Sequence, residues 1–182
     1  MGTYQNQILY GTILGGTSII RPPKGVNYYL SMRGNNLKWL MYKKQLLPNY
    51  FEGCKINQYG NTYRVNSRCM ETLTEIRSIF YKGHKRKIHM RVLDSLTSVA
   101  LAVWFLDSGG KSGRGKKNAY INTTRFGKRG TRTIRKYFRS VDMPCNINVD
   151  GKREKILFSV KGTEKLMRVI AHDFPSFMYN RI

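Results

Sequence analysis

The chain has 182 residues, 41% of them hydrophobic, which is enough for a packed core and excludes wholesale disorder. With 33 Lys and Arg against 10 Asp and Glu, the formal net charge is +23, a self-repulsion that usually answers a polyanion, nucleic acid first. No stretch approaches the ~18 consecutive apolar residues of a membrane span, and the basic residues are not gathered on one amphipathic helix as a membrane-surface binder would have them.

Tyr4 to Gly15 reads as an apolar helix (Ile8, Leu9, Gly11, Ile13, Leu14). A helical glycine costs about 1 kcal/mol against Ala, so Gly11 and Gly15 suggest that another backbone packs very close. Thr17 to Ile20 and Asn27 to Arg33 alternate as strands, with Arg21-Pro22-Pro23-Lys24-Gly25 turning between them. Asn35 and Asn36 can cap a helix running to about Leu47, in which Leu37, Trp39, Leu40, Lys43 and Leu46 fall at helical spacing and which Pro48 closes. Cys54 to Gln58 and Thr62 to Ser67 form a hairpin around Tyr59-Gly60-Asn61, and Met70 to Tyr81 an amphipathic helix. A basic linker follows (Lys82, His84, Lys85, Arg86, Lys87). The pattern then restarts: an apolar helix over Val92 to Leu106 ending in Asp107-Ser108-Gly109-Gly110, a Gly/Lys/Arg turn from Lys111 to Lys117, and a strand over Ala119 to Thr123. A very basic helix over Gly127 to Val141, a hairpin of Pro144 to Val149 and Lys155 to Val160 around Asp150-Gly151-Lys152, and a helix over Thr163 to Phe174 complete it.

Three cysteines, Cys54, Cys69 and Cys145, are odd in number and at no metal spacing, and the start carries no basic leader before an apolar run. Free, mostly buried thiols, a reducing intracellular compartment and no signal peptide are therefore expected. No Asp or Glu occurs between Met1 and Phe51, so metal chemistry would draw on few carboxylates.

The chain repeats itself. Cys54-x-Ile56-Asn57 recurs as Cys145-x-Ile147-Asn148 at an offset of 91, and Glu71-x-Leu73 as Glu164-x-Leu166 at 93. Gly16 falls on Ser108 at 92. Two halves, residues 1–87 and 88–182, are expected to face each other across a pseudo-two-fold seam made by the two apolar helices.

Leu9-Tyr10-Gly11-Thr12-Ile13-Leu14-Gly15-Gly16-Thr17 resembles a degenerate LAGLIDADG motif, and Leu101-Ala102-Val103-Trp104-Phe105-Leu106-Asp107-Ser108-Gly109-Gly110 its second copy. Together with the strand Asn118 to Thr123 and the ending Phe177-Met178-Tyr179, the chain resembles the single-chain, two-repeat LAGLIDADG homing endonucleases, often encoded in group I introns. The resemblance implies an α+β fold of two αββαββα halves, whose antiparallel sheets form a saddle over the major groove of double-stranded DNA at a long, asymmetric site. It implies a monomer, and the composition has already spoken against a membrane partner. It also implies hydrolysis by water activated on Mg2+ or another divalent cation, held by an acid at the foot of each motif helix.

In this sequence those acids fall on Gly16 and Ser108. Asp107, one residue earlier, is the acid that remains, and slippage at Gly109-Gly110 could bring it to the metal. The implied metal set is therefore Asp107, the Gly15 and Gly16 carbonyls and Ser108, with Arg86 and Lys87 as charge stabilisers beside the cleaved phosphate. The implied DNA contacts are Arg21, Lys24, Tyr28, Ser31, Arg33, Tyr63, Arg64 and Asn66 in the first half. In the second they are Lys111, Arg114, Lys116, Asn118, Tyr120, Asn122, Thr124, Asn146, Asn148, Lys152 and Arg153. The missing acid pair keeps a second reading open: a non-cleaving DNA- or RNA-binding protein on the same scaffold, an intron maturase or a regulator, with group I intron RNA as partner.

Overall fold

The computed structural model describes residues 3–113, 115 and 117–181. Helix α1 (Tyr4–Gly15) starts at Thr3, whose side chain accepts from the Asn6 amide, and stops where Gly16 adopts a φ of 143° and turns its amide back to Thr12 and Ile13. Strands β1 (Ser18–Ile20) and β2 (Tyr29–Gly34) follow. Helix α2 (Leu37–Leu46) is capped by Asn36, whose side chain accepts from the Trp39 amide. Pro48 does more than close α2: it opens a one-turn helix, α3 (Pro48–Phe51), consistent with the first-turn position where its missing N–H costs nothing. Strands β3 (Ile56–Tyr59) and β4 (Thr62–Asn66) meet at the two-residue turn Gly60-Asn61, and α4 (Glu71–Phe80) follows.

The expected basic linker is instead a hairpin. Strands β5 (Tyr81–Lys82) and β6 (Lys85–Arg86) pair antiparallel around Gly83, whose φ of 59° suits glycine. The expected helix over Val92 to Leu106 is two: α5 (Met90–Asp94) and α6 (Ser98–Ser108). The break is tertiary in origin. Gln7 of α1, 4% exposed, donates to the Ser95 carbonyl at 3.0 Å and accepts from the Thr97 amide at 2.9 Å, so a side chain from another helix satisfies the start of α6.

Helix α6 runs through Asp107 and Ser108, and Gly109-Gly110 belongs to strand β7 (Gly109–Ser112), paired with Ile121 and Tyr120. Lys111 is thus a strand residue too. Strand β8 (Asn118–Asn122), a 3-10 turn (Thr124–Phe126) and α7 (Gly127–Ser140) come next. The hairpin of β9 (Cys145–Asp150) and β10 (Arg153–Phe158) follows, then α8 (Val160–Ile170). The last helix therefore starts earlier than expected and gives way at Ala171 to a 3-10 turn.

Both four-stranded sheets are antiparallel, in the orders β1-β2-β4-β3 and β7-β8-β10-β9. Corresponding strands occupy corresponding places, so the αββαββα order holds in each half. Leu30, Met32 and Val65 of the first sheet and Ala119, Ile121, Ile156 and Phe158 of the second point into the core. Helices α1 and α6 form the seam: a Cβ on Gly11 would stand 2.5 Å from the Ala100 carbonyl oxygen and 2.8 Å from the Val103 Cβ. Of the three thiols expected to be mostly buried, only Cys145 is, with Cys54 half-buried and Cys69 exposed. Among the described residues no helix is long and apolar enough to cross a membrane.

Candidate functional site

The strand period of two separates a core face from an outer face on each sheet. On the first sheet, Arg33 pairs with Arg64 and Arg64 with Asn57, while Ser18, Ser31 and Asn66 form a second cross-strand row. On the second, Asn122 pairs with Lys155 and Lys155 with Asn148, while Tyr120 and Asn146 flank Leu157. Arg64 lies over the Tyr59 ring and Lys155 over the Tyr120 ring. These rows present donors, acceptors and rings side by side, the chemistry that reads base edges and phosphates.

Several expected contacts land here: Ser31, Arg33, Arg64, Asn66, Tyr120, Asn122, Asn146, Asn148 and Arg153. Asn57, Tyr59 and Lys155 belong with them, and only their strand register reveals it.

Other side chains are elsewhere. Tyr63 shares the inner face with Val65 and packs against the core. Asn118 spends its amide on the Phe158 carbonyl at 2.7 Å. The Thr124 hydroxyl is tied to the Glu154 backbone in both directions, at 3.1 and 2.8 Å. Tyr28 is covered by Arg77, which lies between it and Tyr81. Arg21 folds back on the Gly25 carbonyl, next to Lys24 in the turn. Lys152 sits in the exposed turn of the β9–β10 hairpin. Arg114 and Lys116 lie outside the described residues.

A cavity of about 300 Å3 opens at the feet of the motif helices, lined among others by Gly15, Gly16, Arg33, Trp39, Lys43, Asp107 and Arg125. Asp107 is held on both oxygens by side chains of α2. Lys43 of α2, buried with a side-chain exposure of 4%, donates to its two carboxylate oxygens at 2.7 and 2.8 Å. The Trp39 indole N–H adds a bond at 2.6 Å. Gly15 faces the Asp107 side chain so closely that any Cβ there would collide with it. The slippage expected at Gly109-Gly110 does not occur, because both glycines are held in the β7–β8 ladder. The Ser108 hydroxyl bonds back one turn to the Trp104 carbonyl at 3.1 Å.

Arg86 also differs from its expected place. Its guanidinium caps the end of α1, donating to the Ile13 carbonyl at 2.7 Å, the Thr17 carbonyl at 2.7 Å and the Gly16 carbonyl at 3.2 Å. A cation at a helix C-terminus meets the negative end of the dipole there. Burial lowers the pKa of this guanidinium, opposed by the Tyr81 phenol beneath it. Lys87 lines a different cavity, with Arg129 and Lys136 of α7, and does not reach the motif feet.

Sequence reasoning missed Arg125, the residue that a side chain on Gly16 would meet first. Its guanidinium fills the place where a side chain on Gly16 would begin. Burial lowers its pKa first, the neighbouring Arg86 lowers it further, and Asp107 opposes both.

The residues present do not fit a divalent cation. At the α1 foot there is no carboxylate, a guanidinium stands in its place, and the Gly16 carbonyl is engaged by Arg86. At the α6 foot the single carboxylate is already neutralised by an ammonium. No cluster of three His, Cys, Asp or Glu side chains occurs among the described residues.

A model of the LAGLIDADG DNA endonuclease family matches residues 6–166. Among curated relatives, a protein named RecA from Mycolicibacterium fallax is 26% identical over 189 residues, covering 94% of this chain and 44% of its own length. Another RecA, from Mycolicibacterium flavescens, is 28% identical over 116 residues, covering 62% and 27%. Cytochrome b mRNA maturase bI2 of Debaryomyces hansenii is 24% identical over 132 residues, covering 65% and 50%. The chain thus spans half or less of the length of these relatives. Among solved structures, homing endonuclease I-WcaI bound to its DNA recognition sequence superimposes with a TM-score of 0.88 at 19% identity, covering 98% of this chain and 85% of that one. I-DmoI in complex with DNA and Mn gives 0.64 at 12% identity, covering 94% and 98%. These likenesses show the fold.

Proposed function

Because the chain belongs to the LAGLIDADG DNA endonuclease family, we propose that it is a homing-type endonuclease that recognises one long, asymmetric stretch of duplex DNA and cuts the strand beside Asp107 in preference to the other. The observation that carries this reading is the pair of equivalent sheets, each with an outer face of Arg, Lys, Asn and Tyr, flanking the seam of the motif helices. Both halves lie in one chain, so a monomer suffices. Only one foot offers a carboxylate, the kind of group that can take a proton from an attacking water, and each strand needs its own such base. Asp107 can take that proton only after it leaves Lys43, whose ammonium holds both of its oxygens at 2.7 and 2.8 Å and suppresses their basicity. The Lys43–Asp107 pair is therefore the step that DNA binding must open.

The same pair favours a second reading, a protein that binds specifically without cutting. The maturase relative's name makes intron RNA the partner to test beside DNA. The experiment is a selection from random duplex and random RNA pools. The winning duplex is then labelled separately on each strand and incubated with Mg2+ or Mn2+. The expected outcome is scission of one strand, lost in Asp107→Asn while binding persists. Cutting by Asp107→Asn at the parental rate removes Asp107 from the site, and specific binding with neither strand cut makes the second reading the correct one.

A further inference from the structure

The foot of α1 has not simply lost an acid; it has been rebuilt with the opposite charge. Three observations meet there. Gly16 holds a φ of 143°, a conformation that side-chain-bearing residues rarely adopt, so the backbone itself disfavours a carboxylate at this position. Arg125, carried to the spot by the 3-10 turn Thr124–Phe126, occupies the space such a side chain would enter. Among the described residues its half-buried guanidinium has no hydrogen-bonded or ion-paired partner, although a guanidinium brings five N–H donors. Arg86, close enough to lower the Arg125 pKa, is already committed to the α1 carbonyls, and Arg33, which lines the same cavity, gives one N–H to the Thr62 hydroxyl at 3.3 Å. The nearest anion, Asp107, is neutralised by Lys43. The cavity therefore holds the cations Arg33, Lys43 and Arg125 against one carboxylate. A bare carboxylate would repel an approaching phosphate, and Lys43 removes that repulsion.

We propose that Arg125, with Arg33 beside it, forms a metal-free seat for one backbone phosphate of the bound duplex, so that the position where the family holds a divalent cation is taken by a guanidinium of the chain itself. Arg is suited to this because its planar fork binds phosphate oxygens in pairs. The strand held there is gripped and not cut, which gives the one-sided scission proposed above a structural origin. The inference rests on the DNA-binding part of that reading.

The test uses the full chain and two kinds of probe. On the free protein, inorganic phosphate at matched ionic strength raises the Tm of the parent and of the exposed control Arg168→Gln, and raises that of Arg125→Gln by less than half as much. MgCl2 raises none of them. On the selected duplex in EDTA, methylphosphonate substitution is walked along each strand. One central position weakens the parent by about tenfold, the worth of one charge-assisted contact. Arg125→Gln weakens the unmodified duplex by a similar factor, and combining the two costs no more than either alone. Arg33→Gln, an exposed change that leaves packing intact, shows the same pattern to a smaller degree. At matched ionic strength, Mg2+ does not tighten binding relative to EDTA.

The seat is overturned if Mg2+ tightens binding or raises the Tm. It is equally overturned if every methylphosphonate effect adds to that of Arg125→Gln, or if phosphate stabilises Arg125→Gln as much as the parent. If no duplex is selected, the DNA reading fails by itself and the phosphate titration still decides the seat.

Discussion

Lys43 and Asp107 are each worth less alone than together. Their side chains are 4% and 10% exposed, so removing one partner leaves an uncompensated charge out of water. Lys43→Met should lower the unfolding free energy by about 3–5 kcal/mol, and Lys43→Met with Asp107→Leu should regain most of it, as read by urea denaturation. A double variant no more stable than the single one would show that the ion pair is not what the site depends on. The cysteines offer a second check at this scale. Burial pushes the Cys145 thiol up to about 11, while Cys69 is exposed. The folded state therefore favours the neutral thiol, and the stability this contributes is lost as pH climbs from 9.0 through about 11. Iodoacetamide at pH 8 should label Cys69 and spare Cys145 in the native chain; equal labelling contradicts the burial. The residues of the site were only partly legible in sequence. Lys43 stood in the apolar stripe of its helix with Trp39 and Leu40, and a lysine in such a stripe asks for a buried acid, but periodicity does not say which one. Arg125 carried no local signal, because its meaning lies in the emptiness of Gly16, 109 residues away in the chain.

At the scale of elements, local rules reached furthest where local forces decide. The span of α1, the Asn36 cap of α2 and the two hairpin turns, Gly60-Asn61 and Gly151-Lys152, follow from spacing and turn chemistry. What spacing could not show was decided across the seam. The run from Val92 to Leu106 is apolar throughout, and it breaks at Ser95-Leu96-Thr97 because Gln7 of the other motif helix bonds there. Gly109-Gly110 looked like a loose helix end, yet a Cβ on Gly110 would stand 2.9 Å from the Tyr120 hydroxyl, so close strand pairing is what the glycine permits. The seam makes its own prediction. Gly11→Leu must push the α6 backbone away at Ala100, and overpacking of this kind costs about 1–3 kcal/mol. Its Tm should fall by several degrees, while an unchanged melt would mean that α1 and α6 do not meet as described.

The whole molecule carries +23 and two polar sheet faces, so counterion release should dominate its affinity. If it neutralises about 6–10 phosphates, binding should weaken by about 10^3–10^5-fold between roughly 50 and 200 mM salt, measured as the slope of log K against log salt. A shallow slope would mean that the charge serves something other than a nucleic-acid backbone. The duplication was legible from the offsets near 92 residues, and so was the inequality of the two motif feet. That inequality has a consequence for how the protein sits on its ligand. A palindrome looks the same from either end, and a symmetric dimer cannot tell its two arms apart. This chain ends one motif helix at Gly16 under a guanidinium and the other at an acid paired with an ammonium, so turning it end for end exchanges unlike things. On a palindromic version of its site the two halves should make unequal footprints, and on its own site the protein should have a fixed heading.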